Sequence, residues 1–138
     1  MNVSNLFKPT YSIAALRMMM GIVFILHAGV RIYNNTLHGF GDFLQGKGFP
    51  FGFYLAWFVT LFELVGGVLI FFRYLVRVFC VGEIIILIIG IITVHQEHRW
   101  SALGDSLNGA EYSLVLITIL TAIFIAERKA ARNIKPLL

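Results

Sequence analysis

Cysteine is almost missing from this chain: 138 residues contain one, Cys80. A lone cysteine excludes an intramolecular disulfide, and with it a self-contained enzyme that passes electrons between two thiols of one chain. Charge is scarce as well. Asp, Glu, Lys and Arg make up 13% of the residues, about half the share of an average soluble domain. Prolines number three and no low-complexity tract occurs, so disorder is excluded together with the ordinary water-soluble domain. The net charge of +4 is small and scattered, which leaves no footprint for nucleic acid. Glycine-rich dinucleotide or phosphate loops and a serine nucleophile elbow are absent too.

What is present is hydrophobic. Apolar residues make up 59% of a chain long enough for one domain, and that surplus must face lipid. Long apolar runs predict four membrane-spanning helices over about 11–32, 54–72, 76–94 and 109–127. A hydrocarbon core of about 30 Å needs roughly 20 helical residues, which the fourth run reaches if its helix begins near Asn108. Tyr11, Tyr33, Tyr54, Tyr74 and Tyr112 all fall at or beside a span end, with Trp57 and Trp100 also near ends, as interfacial rings should. The first run contains Arg17 and His27 and has no small-x-small cleavage pattern after it, so it reads as a retained helix.

The expected fold is therefore an all-α, integral membrane four-helix bundle of up-down topology. Lys8, Arg73, Arg77, Arg128, Lys129, Arg132 and Lys135 gather on the side of both termini and the short link between spans two and three. The positive-inside rule makes that side cytoplasmic and the loops 33–53 and 95–108 external. In the first external loop Phe40, Phe43 and Leu44 fall at i, i+3 and i+4 between Gly39 and Gly46. This reads either as a short amphipathic helix forming a lid or as a glycine-rich connector whose aromatic residues dip into the interface.

A charge at a span centre costs about 2.5 to 3.5 kcal/mol on insertion scales, so polar residues inside the spans need reasons. Arg17, Met20, Phe24, His27 and Arg31 follow a 3-4-3-4 spacing on one stripe of span one, which must face the bundle interior. Arg17 and Glu83 lie at similar depth, about 10 Å from the inner face, and are the expected structural ion pair. Glu63 falls near the midplane, while His27, Arg31, His95 and Glu111 cluster toward the outer ends. Together these five predict a polar pocket open to the outside with Glu63 at its floor. Cys80 reads as a small buried hydrophobe. His95 and His98 are three apart, but no cysteine supports them and the span end leaves their geometry unset, so no metal site is assigned. His27 and His95 lie too shallow to bury a haem between them.

Several short motifs in order carry a family resemblance. They are Leu16-Arg17 with Gly21, His27-Ala28-Gly29-Val30-Arg31, Gly48-Phe49-Pro50, Glu63-Leu64-Val65-Gly66-Gly67, Thr93-Val94-His95 and Gly109-Ala110-Glu111-Tyr112. Between about Leu16 and Ile125 the chain resembles the DoxX family of small four-helix membrane proteins, with Arg31 where a lysine is common. The resemblance implies an inner-membrane protein of the oxidoreductase kind. Relatives serve as the membrane subunit of thiosulfate:quinone oxidoreductase or join redox-stress complexes, while related proteins outside bacteria act as membrane chaperones. The family's recurring polar residues match Arg17, His27, Glu63, His95 and Glu111.

The combined expectation is a quinone held by His27, Arg31, Glu63 and His95, with His27, Glu63, His95 and Glu111 as the catalytic set. Because no redox centre is encoded, electrons would come from a bound substrate or a partner subunit; membrane lipid surrounds the chain, which could also self-associate. The alternative is a non-catalytic chaperone, assembly or accessory subunit. A solute carrier fits less well, since neither internal repeats nor broken helices occur. Cysteine labelling from either side of the membrane tests the topology: probes at the C-terminus should react only from the cytoplasm, and labelling from outside would refute it.

Overall fold

The computed structural model describes residues 9–95 and 110–133. All regular structure among them is helical: α1 (Pro9–Tyr33), α2 (Leu37–Gly46), α3 (Gly52–Phe71), α4 (Val76–His95) and α5 (Ala110–Asn133). The four apolar runs fall in α1, α3, α4 and α5, the last of which continues six residues past the expected end at 127. Three segments, Thr10–Tyr33, Gly52–Phe71 and Val76–Thr93, are long and apolar enough to cross a membrane. The apolar stretch of α5 is bounded by Glu111 and Glu127.

Each long helix turns small and polar residues inward and large apolar residues outward. Leu26, Val30, Phe58, Leu61, Val65, Val81, Ile85, Ile92 and Val115 are all exposed, whereas Ala28, Ala56, Thr60, Glu63 and Glu83 are buried. In water such a surface would aggregate; in lipid it is the solvated face. The shared core joins Met20 and Phe24 of α1, Ile70 of α3, Val76 and Cys80 of α4, and Leu116, Leu120 and Ile123 of α5.

The most extensive packing is between α1 and α3; α1 also meets α5, and α4 meets both α3 and α5. Glycines set the closeness of the first contact. A Cβ at Gly21 would sit 2.6 Å from the carbonyl oxygen of Gly67, and one at Gly67 would sit 2.8 Å from that of Gly21. Neither backbone can yield, so the crossing requires two glycines face to face. The α3–α4 contact is a reciprocal fit instead: the Phe79 ring fills the space beside Gly66, the Phe62 ring that beside Gly82, and the two rings lie 5.0 Å apart.

The ends differ in chemistry. At one, the turn after α3 holds Arg73 in a left-handed conformation, φ 67°, and points its guanidinium at Glu127 near the end of α5, with Nε 3.1 Å from Oε1. Arg77 lies over the Phe124 ring at the same end. At the other, Asn35, φ 53°, reverses the chain after α1, and α2 folds back onto α3. Of the two readings of this loop, the helix is the one that forms, ten residues long. Its inward face is Leu37, Gly41 and Leu44 with Phe40 beside them, not the triplet Phe40, Phe43 and Leu44: Phe43 is exposed beneath the Lys47 ammonium. The reason is a steric one, because α2 approaches α3 where Gly41 meets the backbone of Gly52 and Phe53, and that register carries Phe43 outward.

The glycine crossing predicts a ranked pair of variants. Gly67→Val should destabilise the detergent-solubilised protein by about 1 to 3 kcal/mol through overpacking. Gly29→Ala meets open space and should lie within about 0.5 kcal/mol of wild type or above it. Thermal unfolding followed by circular dichroism reads both, and the reverse order would refute the close crossing.

Candidate functional site

Arg31, two residues before the end of α1, is the centre of a polar network toward the α2 end of the structure. Its Nη1 donates to Thr60 Oγ1 and to Glu63 Oε2, both at 2.8 Å, while Nη2 lies 3.4 Å from His27 Nε2. Helical spacing explains the convergence: His27 and Arg31 are four apart on α1, and Thr60 and Glu63 three apart on α3, so each pair shares a face. The Arg31 and Glu63 side chains are only 13% and 5% exposed, making this a buried, hydrogen-bonded ion pair. The Phe40 ring of α2 covers the guanidinium, its centroid 4.6 Å from Cζ. A guanidinium can only donate, so a hydrogen bond in that contact requires Nε2 of His27 as acceptor, which is the tautomer with the ring proton on Nδ1.

Local backbone structure holds the arginine in place. The Arg31 carbonyl accepts from the backbone N–H of Thr36 at 3.1 Å and from its hydroxyl at 3.2 Å, tying the helix end to the reversal that leads into α2. Leu37 and Leu44 then pack on Ala56, with Ile32 and Phe40 against them. The arginine, its lid and its acceptors are thus fixed by one small cluster.

The expected pair of Arg17 and Glu83 does not form. Arg17 Nη1 donates instead to the carbonyls of Ile70 and Phe71, both at 2.6 Å. Those carbonyls lie in the last turn of α3, where the helix carries its partial negative charge; that of Ile70 also accepts the Arg73 N–H at 3.2 Å. In hydrocarbon such acceptors must be satisfied within the protein, and α1 packs on α3, which puts Arg17 beside them. Glu83 is fully buried on α4, and among the described residues neither of its carboxyl oxygens has a hydrogen-bond partner.

Of the five residues expected to line the pocket, His27, Arg31 and Glu63 come together. His27 stands at the exposed edge of the network, because the buried position on that turn of α1 is Ala28. Glu111 is exposed in the first turn of α5, where a carboxylate complements the helix N-terminus. His95 ends α4, and its side chain and His98 lie outside the described residues. Thr60 and Phe40 were not singled out for this site by sequence reasoning. Thr60 carried a signal, its i, i+3 spacing to Glu63; Phe40 carried none beyond its place in the lid. Cys80 is buried, as expected.

Helices throughout the described residues, lipid-matched faces and a buried arginine–carboxylate pair define a membrane protein with a polar network in its interior. The DoxX family model matches residues 12–96, which covers α1 to α4 with Arg17, His27, Arg31 and Glu63, and the chain belongs to that family. Neither the comparison with curated proteins nor that with solved structures finds a match.

The pairing scheme makes a double-mutant prediction. Arg31→Met or Glu63→Met alone strands a buried charge and should cost about 3 to 5 kcal/mol, whereas the double variant should recover most of that loss. Arg17→Met and Glu83→Met serve as the comparison: their effects should add to within about 0.5 kcal/mol. Thermal unfolding of all six variants checks both cycles, and additivity at Arg31 and Glu63 would refute the pair.

Proposed function

We propose that this chain is a four-helix, up-down bundle in the inner (plasma) membrane with both termini cytoplasmic, and that it is the membrane subunit of a quinone-linked oxidoreductase or redox-stress complex. The observation that carries the reading is the convergence of Arg31, Glu63, Thr60 and His27 beneath Phe40 in an otherwise apolar membrane segment. Intramembrane ionisable groups that cluster at one depth are expensive, and ligand or proton handling is the common reason for them. A flat, membrane-soluble ring can enter from lipid at the His27 edge. His27 Nδ1–H, or a guanidinium N–H of Arg31, then donates to a ring carbonyl, and Glu63 passes the proton that reduction of that carbonyl requires. His95 and Glu111, at the ends of α4 and α5, complete the proposed set. Electrons come from a partner subunit or a bound donor, because the chain encodes no redox centre.

A second reading has its own support. Arg31 already bonds to Glu63 and Thr60, as a purely structural pair would, and this favours a non-catalytic chaperone or assembly subunit using the bundle as a docking surface.

Purification from native membranes separates the two. The quinone-linked reading expects quinone to co-purify and to fall about ten-fold in His27→Ala or Glu63→Gln, the equivalent of one charge-assisted hydrogen bond. If extracted-lipid mass spectrometry finds no quinone, while a protein partner is retained by wild type and His27→Ala alike, the docking reading replaces it.

A further inference from the structure

The network around Arg31 leaves Glu83 unused. Its carboxyl lies against α3, since a Cβ placed on Gly66 would be 3.1 Å from Glu83 Oε1. Gly66 is three residues from Glu63, on the same side of α3, so at the α3–α4 interface Glu83 lies against α3 about one helical turn along from the residue that holds Arg31. Phe62 and Phe79 interlock across that interface, and Glu83 has no exposed surface. The charged groups around it can be named. Glu63 on α3 and Arg31 on α1 are near enough to act on it electrostatically. On its own helix is Cys80, which in turn feels Glu127 of α5, a carboxylate already taken by Arg73. Arg17 is committed to the carbonyls that end α3.

One cation, Arg31, therefore serves two buried carboxyls, and it is bonded to Glu63. Hydrocarbon tolerates a carboxyl with neither counter-ion nor hydrogen-bond donor only with its proton on. We propose that Glu63 and Glu83 form a proton-exchange pair across the α3–α4 interface, biased by Arg31, with Glu83 as the buried proton store. In the exchange the O–H bond on Glu83 breaks and one on Glu63 forms; one proton moves, no electron does, and the pair keeps the same total charge. While Arg31 stays on Glu63 the proton resides on Glu83. When Arg31 is drawn away, Glu63 loses its counter-charge and takes the Glu83 proton, and one further proton from the aqueous side, entering through Glu63, refills Glu83, so that both carboxyls end protonated. The inference needs the arrangement of these three side chains and not the identity of a ligand, so it stands or falls separately from the quinone reading.

Infrared spectroscopy of the full chain in lipid vesicles, with no added ligand, tests it. At neutral pH the wild type should show the stretching band of a protonated carboxyl, and Glu83→Gln, which matches the acid form in size and neutrality, should abolish it. Arg31→Gln should roughly double the band, and adding Glu63→Gln to that variant should remove the increment. On transfer to deuterated buffer, exchange of the band should slow about a hundred-fold in Glu63→Gln, the lower end of what a positioned acid–base group contributes. Glu83→Asp provides the check if Glu83→Gln does not fold: it should retain the band at a shifted frequency. No band in the wild type, a band unmoved by either change at Glu83, or an exchange rate unaffected by Glu63→Gln would overturn the proposal.

Discussion

Hydrocarbon offers no partner to a polar group, and everything else in this structure follows from how that demand is met. Helix α1 carries two arginines and delivers both to α3, Arg17 to its terminal carbonyls and Arg31 to Thr60 and Glu63. Between them Gly21 and Gly67 bring the backbones together. An arginine on two backbone carbonyls, an arginine–carboxylate pair and the glycine crossing between them fix the translation and rotation of one helix on the other, which apolar packing in lipid specifies weakly because side chains find equivalent contacts with lipid tails. The remaining elements attach to this pair: α2 mainly to α3, with Phe40 reaching Arg31 of α1, and α4 and α5 to the flanks.

Segment boundaries and polar residues were legible in the sequence because both reflect transfer into lipid, a property of each residue by itself. Adjacency was not. Arg17 and Glu83 do lie toward the same end, yet depth is one coordinate, and which helices are neighbours depends on glycine positions whose partners the sequence does not name. The stripe on α1 shows a similar limit of resolution. A 3-4-3-4 spacing admits His27 and leaves out Ala28, but contact with α3 rotates the helix by a fraction of a turn, so that Ala28 is buried and His27 reaches the edge. In the lid, Phe43 and Leu44 are indistinguishable by hydrophobicity, and only the approach of Gly41 to Gly52 and Phe53 decides which points inward.

The same side chains serve cohesion and chemistry here, and geometry sets the balance. A fully enclosed Arg31–Glu63 pair would be inert glue. Instead His27 opens one side of it to the surroundings, while a single aromatic ring, Phe40, separates the guanidinium from the outside. Arg31 thus combines strong bonds with a short path out of them, the condition under which a cation can be shared between its resting partners and an incoming group.

The makeup of α2 has a consequence for how that ring moves. Gly39, Gly41 and Gly46 occupy three of its ten positions, and each weakens an isolated helix by about 1 kcal/mol relative to alanine. A segment this short and this rich in glycine has no helical stability of its own in water; it is helical because Leu37 and Leu44 are seated on Ala56. Docking and coiling are therefore one event. Lifting Phe40 off Arg31 does not swing a rigid flap on a hinge but melts the segment, so opening is favoured by chain entropy and closing by apolar contact, two quantities that both grow on warming and act in opposite directions.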